Sequence, residues 1–569
     1  MHARKRGKSR RTLVWRLAGA YSAHTIFVWK RRGYVGKKAH CNGGACLLAF
    51  AVVVCALAAV STNPAYAAAA VQQSSTSVVL SEGRGNIYDC GFLPLTGTVS
   101  ERYALIEPGR TSYHTLFEAI PAELRTQFYA SIQRGSPFLM PVTGAAAARA
   151  QYTFEKPVRY QPMPIAQHLI GYLGASGHGV SGVEYAFDDL LTGGSTLTEV
   201  RCTMNARGGF IESDAPYLVE SPGTGAGVML TLDSSIQRAC EAVGIEMVDK
   251  GCIVVLDAPT GRVRASVSLP LYDPENVAAS IARQDTSLVN RALSAYNVGS
   301  VFKPLLAAAA LEQGISAQET YECTGSIEVG GHVYRCAYGR GHGTVDMKTA
   351  LEQSCNCYFV QLGLRLGAQT VYDITKSAGF GQSQQVAGGL RAASGNLPDA
   401  AQLEDLGQLA SISFGQGALT ATPVQVAAMM NLFANGGRYV EPVFVEGIVD
   451  EYTQSVTESL YRPVQRQVMD KDVAEVIRQM LVGVVEEGLG RKAAPRAGGA
   501  GGKTGTAQTG RYQEDGEEIM DAWFVGFYPA EEPRYTIAVL LDSGTHDSDD
   551  AAQVFAKVTD ALSFFLAQE

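Results

Sequence analysis

The sequence predicts an α+β fold that follows one apolar segment near the N-terminus, and three observations lead to this expectation. An uncharged apolar run extends from Gly43 to Val60, directly after a basic head. From Gly227 onward, strand patterns and a hairpin pattern precede alanine-rich helical stretches. Two apolar strand patterns, at 522–527 and 535–541, then precede a last helix at 551–567. Strand–helix–strand order with late antiparallel strands is typical of an α+β domain of about 340 residues.

The composition and the charge distribution limit the class of protein. A chain of 569 residues is long enough for two or three domains, and 46% hydrophobic with 18% charged residues is typical of a globular protein. The first forty residues contain twelve lysines and arginines and no acidic residue, yet the whole chain has a net charge of −8. The remainder is therefore strongly acidic, which argues against nucleic acid as the main partner.

The N-terminal segment is predicted to be a basic cytoplasmic tail, 1–40, followed by a transmembrane anchor, 43–62. Sixteen to eighteen apolar residues give a helix of about 24–27 Å, slightly shorter than the ~30 Å hydrocarbon core. The positive-inside rule then places residues 61–569 outside the cytoplasm, as in a single-pass protein of the cell membrane. Ala65-Tyr66-Ala67 also fits a cleavage site after a small residue, so a signal peptide cleaved at Ala67 remains an alternative.

Two domains are predicted in the body of the chain, 68–225 and 226–569. The loop-like stretch from Gly208 to Gly225 places the boundary, because it contains two prolines and several glycines. The first domain combines short strand patterns with helical patterns and is expected to be mixed α/β. The second begins with a strand at 228–233 that leads into a helix near Ser234–Val248.

The larger domain contains a candidate nucleophile, Ser300, three residues before Lys303. Residues at i and i+3 share one helix face, so the hydroxyl and the amine can meet. Pro304 is tolerated only near a helix start, which places Ser300 in or just before the first turn. A hydroxyl beside an amine, close to free backbone N–H groups, is the arrangement of an activated nucleophile. An isolated S-x-x-K pattern is more often an N-cap serine and a surface lysine, so partners are needed elsewhere.

Two further patterns supply these partners. Ser354-Cys355-Asn356 lies 54 residues beyond Ser300, and Lys503-Thr504-Gly505-Thr506 follows much later in the chain. S-x-N is weak alone, since it also occurs at Ser61 and Ser394, but S-x-x-K and K-T-G each occur once. The order S-x-x-K, S-x-N, K-T-G is associated with penicillin-binding proteins and serine β-lactamases.

With these motifs the chain resembles the class B (monofunctional) penicillin-binding proteins, the peptidoglycan D,D-transpeptidases. The resemblance extends from Arg84 to the C-terminus. It implies a penicillin-binding transpeptidase domain related to serine β-lactamases over 226–569 and a pedestal, or dimerisation-like, domain over 68–225. Val298 departs from the pattern, because the family often has proline there. The other matching blocks are Arg84 to Asp89, His168 to Glu184, Leu230 to Asp233, Asn290 to Ala292, Gly415 to Gly417, Thr422 to Gln425, Asn435 to Gly437 and Ala522 to Gly526.

The resemblance and the chemistry of the side chains together imply a role for each residue. Ser300 attacks the carbonyl of a D-Ala-D-Ala end, and Lys303 accepts its proton if burial or a second cation, for which Lys503 is the candidate, lowers its pKa. Ser354 relays the proton to the leaving amine, and Asn356 binds the substrate amide and orients Lys303. The backbone N–H groups of Ser300 and Thr506 form an oxyanion hole, worth ~2.7–4 kcal/mol per donor. Thr504 and Thr506 bind the terminal carboxylate, and Gly505 leaves room for a substrate strand.

The function expected on these grounds is cross-linking of stem peptides through a serine acyl-enzyme, with β-lactams as covalent inhibitors. A D,D-carboxypeptidase or a β-lactamase is an alternative, in which water attacks the acyl-enzyme. A non-catalytic β-lactam sensor or cell-wall scaffold is an alternative of another class. The resemblance also implies a membrane glycosyltransferase of the SEDS type as partner.

The eleven cysteines do not suggest a metal site or a catalytic thiol. Since neither a C-x-x-C pair nor an H-x-x-x-H spacing occurs, neither a metal nor a cofactor is expected. Cys323 and Cys336 flank a hairpin pattern and are predicted either to form a disulfide in an oxidising compartment or to stay unpaired. Cys355 and Cys357 are interpreted as packing residues.

Overall fold

The computed structural model describes residues 43–65, 74–107, 117, 120–142, 150–205, 209–211, 214–336, 339–513, 516–544 and 547–566. The predicted basic tail and cleavage after Ala67 lie outside these residues. The chain divides into two compact units, Met1–Gln73 and Ser74–Glu569. The first contains helix α1 (Gly43–Thr62). No helix in the described part of the chain qualifies by length and apolarity as a membrane span, so the transmembrane anchor stays a prediction.

The second unit begins with short strands and helices. The strands are β1 (Ser75–Glu82), β2 (Ile87–Tyr88), β3 (Val99–Ile106), β4 (Phe138–Pro141), β5 (Thr153–Val158), β6 (Leu197–Thr203), β7 (Tyr217–Ser221) and β8 (Ala226–Leu230). The helices are α2 (Arg125–Gln133), α3 (Gln167–Ile170), α4 (Gly182–Ala186) and α5 (Asp188–Leu191). Two antiparallel three-stranded sheets have the orders β1–β6–β7 and β4–β3–β5.

The buried carboxylate of Glu184 connects two of the matching sequence blocks, Arg84 to Asp89 and His168 to Glu184. Glu184 is fully buried, and its two oxygens accept from Arg84 Nε at 2.8 Å and from Arg159 Nε at 2.6 Å. A buried charge is tolerated only when it is paired and hydrogen-bonded. The arginine of the first block and the glutamate of the second therefore hold these segments against each other.

The rest of the unit has seventeen strands and nine helices in its described residues. The strands are β9 (Gly251–Asp257), β10 (Val263–Leu269), β11 (Tyr296–Asn297), β12 (Tyr321–Cys323), β13 (Ser326–Val329), β14 (His332–Arg335), β15 (Gly343–Val345), β16 (Gln385–Ala387), β17 (Leu390–Arg391), β18 (Thr420–Ala421), β19 (Arg438–Val440), β20 (Val445–Asp450), β21 (Ser455–Ser459), β22 (Gln465–Gln467), β23 (Gly501–Tyr512), β24 (Glu518–Tyr528) and β25 (Tyr535–Gly544). The helices are α6 (Ser234–Met247), α7 (Val277–Arg283), α8 (Lys303–Glu312), α9 (Met347–Glu352), α10 (Asn356–Ser377), α11 (Leu406–Ile412), α12 (Pro423–Ala434), α13 (Lys471–Glu486) and α14 (Ser548–Leu566).

A five-stranded antiparallel sheet of order β10–β9–β25–β24–β23 forms the centre of the α+β fold. Successive side chains of a strand point to opposite faces. Along β9, Val254 and Leu256 pack into the core on one face, where α8, α10, α12 and α13 lie. Ile253 and Val255 pack into the core on the other face, with α6 and α14. Because helices cover both faces, the residues 253–256 of β9 are buried and apolar at successive positions instead of alternating with polar ones.

The predicted elements of this region are confirmed within a few residues. The helix predicted near Ser234–Val248 is α6, and it begins where predicted because Asp233 Oδ1 accepts from the N–H groups of Ser235 and Ile236. The two late strand patterns are β24 and β25. The domain boundary near 225 stays a prediction, and one mixed sheet, β2–β8–β20–β21, joins strands from both sides of it.

Candidate active site

Ser300 lies in a 3₁₀ turn, Gly299–Phe302, that continues directly into α8. The backbone N–H of Lys303 donates to Ser300 O, and Pro304 occupies the first turn of the helix, as predicted. The first eight residues of α8 are all buried, so the nucleophile turn is attached to a helix fixed in the core. Ser300 itself is half-buried, so the residue is partly accessible to solvent.

Gly299 is required by the close approach of β23 to this turn. Its φ is +65°, a backbone conformation that side chains disfavour, and a Cβ added there would lie 2.9 Å from Thr506 O. The Gly299 N–H also donates to Gly415 O at 2.7 Å. The turn that carries Ser300 is thus held between the strand of the K-T-G motif and the loop at Gly415. This contact explains why the glycine is retained where the preceding family proline is replaced by Val298.

Lys303 joins the S-x-x-K motif to the S-x-N motif. The side chain is fully buried, and Nζ donates to Ser354 O at 2.7 Å, to Ser354 Oγ at 3.0 Å and to Asn356 Oδ1 at 2.7 Å. The neutral amine has two N–H donors and one lone pair. When the amine is neutral, the Ser354 carbonyl and the Asn356 amide oxygen, which can only accept, take both donors, and Ser354 Oγ no longer accepts from Nζ. The lone pair is then available to a hydroxyl, as a proton acceptor requires.

Ser354 adopts an uncommon backbone conformation between α9 and α10. Its φ is +53°, in the left-handed region, which costs of order 1–3 kcal/mol for a residue other than glycine. This conformation aims both the carbonyl and the hydroxyl of Ser354 at Lys303. Asn356 begins α10, and its Nδ2 donates to Arg335 O at 2.8 Å, which orients Oδ1 toward the lysine.

Lys503 and Thr506 lie on β23, the edge strand of the central sheet. Lys503 is fully buried and donates to Thr504 O at 3.2 Å and to Thr504 Oγ1 at 3.3 Å. Thr504 is also buried, whereas Thr506 is exposed beside the nucleophile turn. Gly505 permits this contact, because a Cβ there would lie 2.9 Å from Val301 Cγ1. Of the two threonines, Thr506 is the accessible one for a substrate.

Burial dominates the electrostatics of the two lysines. Burial lowers the pKa of Lys303 from 10.5 to about 7, and nearby cysteine sulfurs partly oppose this shift. Burial, and then the charge of Lys303, lowers the pKa of Lys503 well below its usual value. Of the two causes that were expected to keep Lys303 neutral, burial is therefore the larger one. The repulsion between the two cations is mutual and disfavours the state in which both lysines are charged.

Two residues near the site were not among the predicted site residues. Asn297 Nδ2 donates to Gln508 O at 2.8 Å, and Asn297 O accepts from Trp523 Nε1 at 3.0 Å, so this residue ties the segment before Ser300 to the sheet. Gln416 Nε2 lies 3.4 Å from Thr506 O at the exposed end of the K-T-G motif. Gln416 belongs to the Gly415 to Gly417 block of the sequence, and the match of this block to the family is the signal that points to it.

Four cysteines near the S-x-N motif have their sulfur atoms close together, although three separate segments of the chain carry them. Cys323 and Cys336 are free thiols whose sulfurs are 3.7 Å apart, so the structure has the unpaired one of the two predicted alternatives. The hairpin between them is confirmed as β13–β14. Cys355 and Cys357 are buried, as packing residues would be, but both have their sulfurs within 3.8 Å of Cys336 Sγ.

Comparisons with known proteins agree with this geometry. Residues 251–560 match the family model described as "Penicillin binding protein transpeptidase domain". Stage V sporulation protein D of Bacillus subtilis is 31% identical over an alignment of 409 residues, and this alignment covers 69% of this chain and 61% of that protein. The chain thus spans about three fifths of the length of the curated relatives it matches.

The structural comparisons give the same fold. The crystal structure of penicillin-binding protein 3 from Mycobacterium tuberculosis matches with a TM-score of 0.62 at 26% identity, covering 86% of this chain and 97% of the other. It has also been solved complexed with aztreonam. A chain from a structure described as a peptidoglycan synthase complex coordinating polymerization and crosslinking matches with a TM-score of 0.66 at 24% identity. The match covers 92% of this chain and 98% of the other. Because the family model covers more than half of the chain, this protein belongs to the penicillin-binding protein transpeptidase family.

Proposed function

We propose that this protein is a peptidoglycan D,D-transpeptidase that cross-links stem peptides through an acyl-enzyme on Ser300. One observation carries the proposal: a buried lysine three residues after the serine, bonded to both polar residues of the S-x-N motif. A lysine whose pKa is lowered by burial is a suitable general base for a hydroxyl nucleophile.

The proposed reaction proceeds in two steps, acylation of Ser300 and transfer of the acyl group to an amine. Ser300 Oγ forms an ester with the carbonyl of the penultimate D-alanine while Lys303 takes the hydroxyl proton. The peptide C–N bond breaks, and Ser354 relays the proton to the terminal D-alanine, which leaves as the free amine. The amine of a second stem peptide then attacks the ester carbonyl and gives up one proton, which returns through Lys303 to Ser300 Oγ as the ester C–O bond breaks and the new amide bond forms. Thr506 and the backbone at β23 bind the substrate carboxylate and the developing oxyanion.

A β-lactam would acylate Ser300 in the same way, with its ring nitrogen as the leaving group. Since that nitrogen stays tethered to the acyl group, the adduct blocks the site until water attacks it. In the D,D-carboxypeptidase alternative, water instead of an amine attacks the peptidyl-enzyme. In the β-lactamase alternative, water rapidly hydrolyses the β-lactam adduct. In the sensor alternative, Ser300 is acylated by the β-lactam but no peptide is transferred.

The test compares two acceptors for one acyl-enzyme. The purified chain is incubated with a peptide ending in D-Ala-D-Ala and with a fluorescent D-amino acid, and a fluorescent penicillin is used in parallel. We expect D-alanine release with incorporation of the fluorescent amine, together with a stable penicillin adduct. Release without incorporation would support the carboxypeptidase, rapid loss of the adduct the β-lactamase, and an adduct without D-alanine release the sensor.

The acylation rate should fall as the pH is lowered through about 7. The folded-state pKa of Lys303 is about 7, so the amine is largely neutral above this pH and protonated below it. Only the neutral form accepts the Ser300 proton, and the rate should therefore drop about tenfold per pH unit on the acid side. Rates of penicillin labelling measured from about pH 5 to 9 check this. A rate that stays constant down to pH 5 would exclude Lys303 as the base.

We also propose that residues 43–62 anchor the protein in the cell membrane with the catalytic unit outside the cytoplasm. The proposal is supported by the charge distribution, since twelve basic residues and no acidic one precede an uncharged run. Protease added to spheroplasts should digest residues 74–569, and protection of this unit would contradict the proposed orientation.

A SEDS-type glycosyltransferase is the proposed partner, as it would supply the glycan strands to be cross-linked.

A further inference from the structure

Four potential metal ligands lie close together at the S-x-N motif, and one of them is the middle residue of that motif. Cys323, Cys336, His342 and Cys355 place one ligand atom each within 4.8 Å of one another, the one such group that the described residues contain. The three cysteines are buried and the histidine is half-buried. We propose that these four side chains bind one Zn²⁺ ion, which positions Asn356 for catalysis.

The spacing of the ligand atoms fits a tetrahedral zinc site. With metal–sulfur bonds of ~2.3 Å and metal–nitrogen bonds of ~2.0–2.1 Å, a tetrahedron has sulfur–sulfur edges of about 3.8 Å and sulfur–nitrogen edges of about 3.6 Å. Cys336 Sγ lies 3.7 Å from Cys323 Sγ and 3.8 Å from Cys355 Sγ. Cys323 Sγ lies 3.4 Å from His342 Nδ1. The remaining separations are at most 4.8 Å, so these edges need to shorten by about 1.2 Å at most, which side-chain rotation allows.

Each ligand lies at the end of a secondary-structure element, so the backbone already holds it in place. Cys323 ends β12 and pairs with Gly343, which brings His342 beside it. Cys336 follows β14, and its N–H donates to Gly325 O at 3.0 Å. Cys355 precedes α10, and its N–H donates to Ala350 O at 2.9 Å.

Three thiols and an imidazole select zinc over the harder cations. Ca²⁺ and Mg²⁺ prefer oxygen ligands, which this group lacks, whereas a Cys₃His set is a common structural zinc site. With four protein ligands the ion has no open position, so it does not itself activate water or substrate. The sequence-based expectation of no metal is revised by this site, because the four ligands are spaced 13, 6 and 13 residues apart and form no local motif.

The site connects directly to the catalytic geometry. Cys336 follows Arg335, whose carbonyl accepts from Asn356 Nδ2, and Cys355 lies between Ser354 and Asn356. An ion bound to Cys336 and Cys355 therefore holds in place both the carbonyl that accepts from Asn356 Nδ2 and the backbone that precedes Asn356, and so keeps Oδ1 against Lys303. The consequence for acylation rests on the proposed function, whereas the metal content does not.

Metal analysis of the full-length chain, purified without chelator from cells grown with added zinc, tests the site. We expect about one zinc per chain, and cobalt substitution should give a thiolate-to-cobalt charge-transfer band with intense tetrahedral d–d bands. Cys336→Ser should lose the metal. Cys357→Ser is the matched control, since its sulfur lies 3.6 Å from Cys336 but outside the four-ligand group, and it should keep the metal.

Removing the ion from the wild-type chain avoids relying on variants that fail to fold. Chelation should slow penicillin labelling by about tenfold or more, and added Zn²⁺ should restore it. The proposal is overturned by a chain that holds no zinc, by a Cys323–Cys336 disulfide in the purified protein, or by zinc retained in Cys336→Ser. Loss of zinc in Cys357→Ser would overturn the ligand assignment. If neither zinc-loaded nor zinc-free protein labels with penicillin, the proposed function fails while the metal site stands.

Discussion

Ser300→Ala should abolish covalent labelling by a fluorescent penicillin. The ester bond needs the Ser300 hydroxyl, and alanine leaves the 3₁₀ turn without a nucleophile. The side chain is small and half-buried, so the thermal unfolding midpoint should change by about 2 °C or less. Gel fluorescence, together with mass-spectrometric mapping of the labelled peptide in the wild type, measures the effect.

The control for this variant is a serine at the other end of the same helix. Ser316 is exposed beyond the end of α8 and contacts only its local turn, so Ser316→Ala should label like the wild type. A Ser300→Ala protein that still forms the adduct would show that another residue is acylated.

Lys303→Met and Lys303→Arg should both slow acylation by about 10²–10⁴-fold, the usual contribution of a general base. Methionine fills the buried space without a proton acceptor. Arginine keeps a cation there, but its guanidinium stays protonated at all accessible pH values and cannot act as a base. The rate constant for penicillin labelling, measured for each folded variant near neutral pH, tests the prediction.

Lys348→Met is the matched control, because Lys348 lies on α9, close in sequence to the S-x-N motif, with half of its side chain exposed. It should label at the wild-type rate. If Lys303→Arg retained a rate within about threefold of the wild type, Lys303 would act only by its charge and would not be the proton acceptor.

Local sequence patterns predicted most of the catalytic domain, because its elements depend on local chemistry. The apolar strands were found because each is buried on both faces, and α6 was found because Asp233 caps its start. Ser300 was placed at a helix start from Pro304 alone, since proline is excluded from the helix interior. In each case the signal lies within a few residues of the element it predicts.

The order of the three motifs also determined which residues would meet. Ser300, Lys303, Ser354, Asn356, Lys503 and Thr506 were predicted as one site, and the structure places Lys303 against Ser354 and Asn356, with β23 beside Ser300. The roles assigned to these residues stay predictions until the variants are measured. That the lysine must be neutral followed from the chemistry of a general base.

Only the tertiary structure decided what lowers the pKa of Lys303 and which side chains surround the S-x-N motif. The desolvation of Lys303 depends on side chains packed around it from several segments, and no local pattern reports this burial. The gathering of Cys323, Cys336, His342 and Cys355 likewise depends on two β-strand pairings and a helix start that bring separate segments together. Spacing along the chain predicts contacts within a helix or a hairpin, whereas these contacts are made between them.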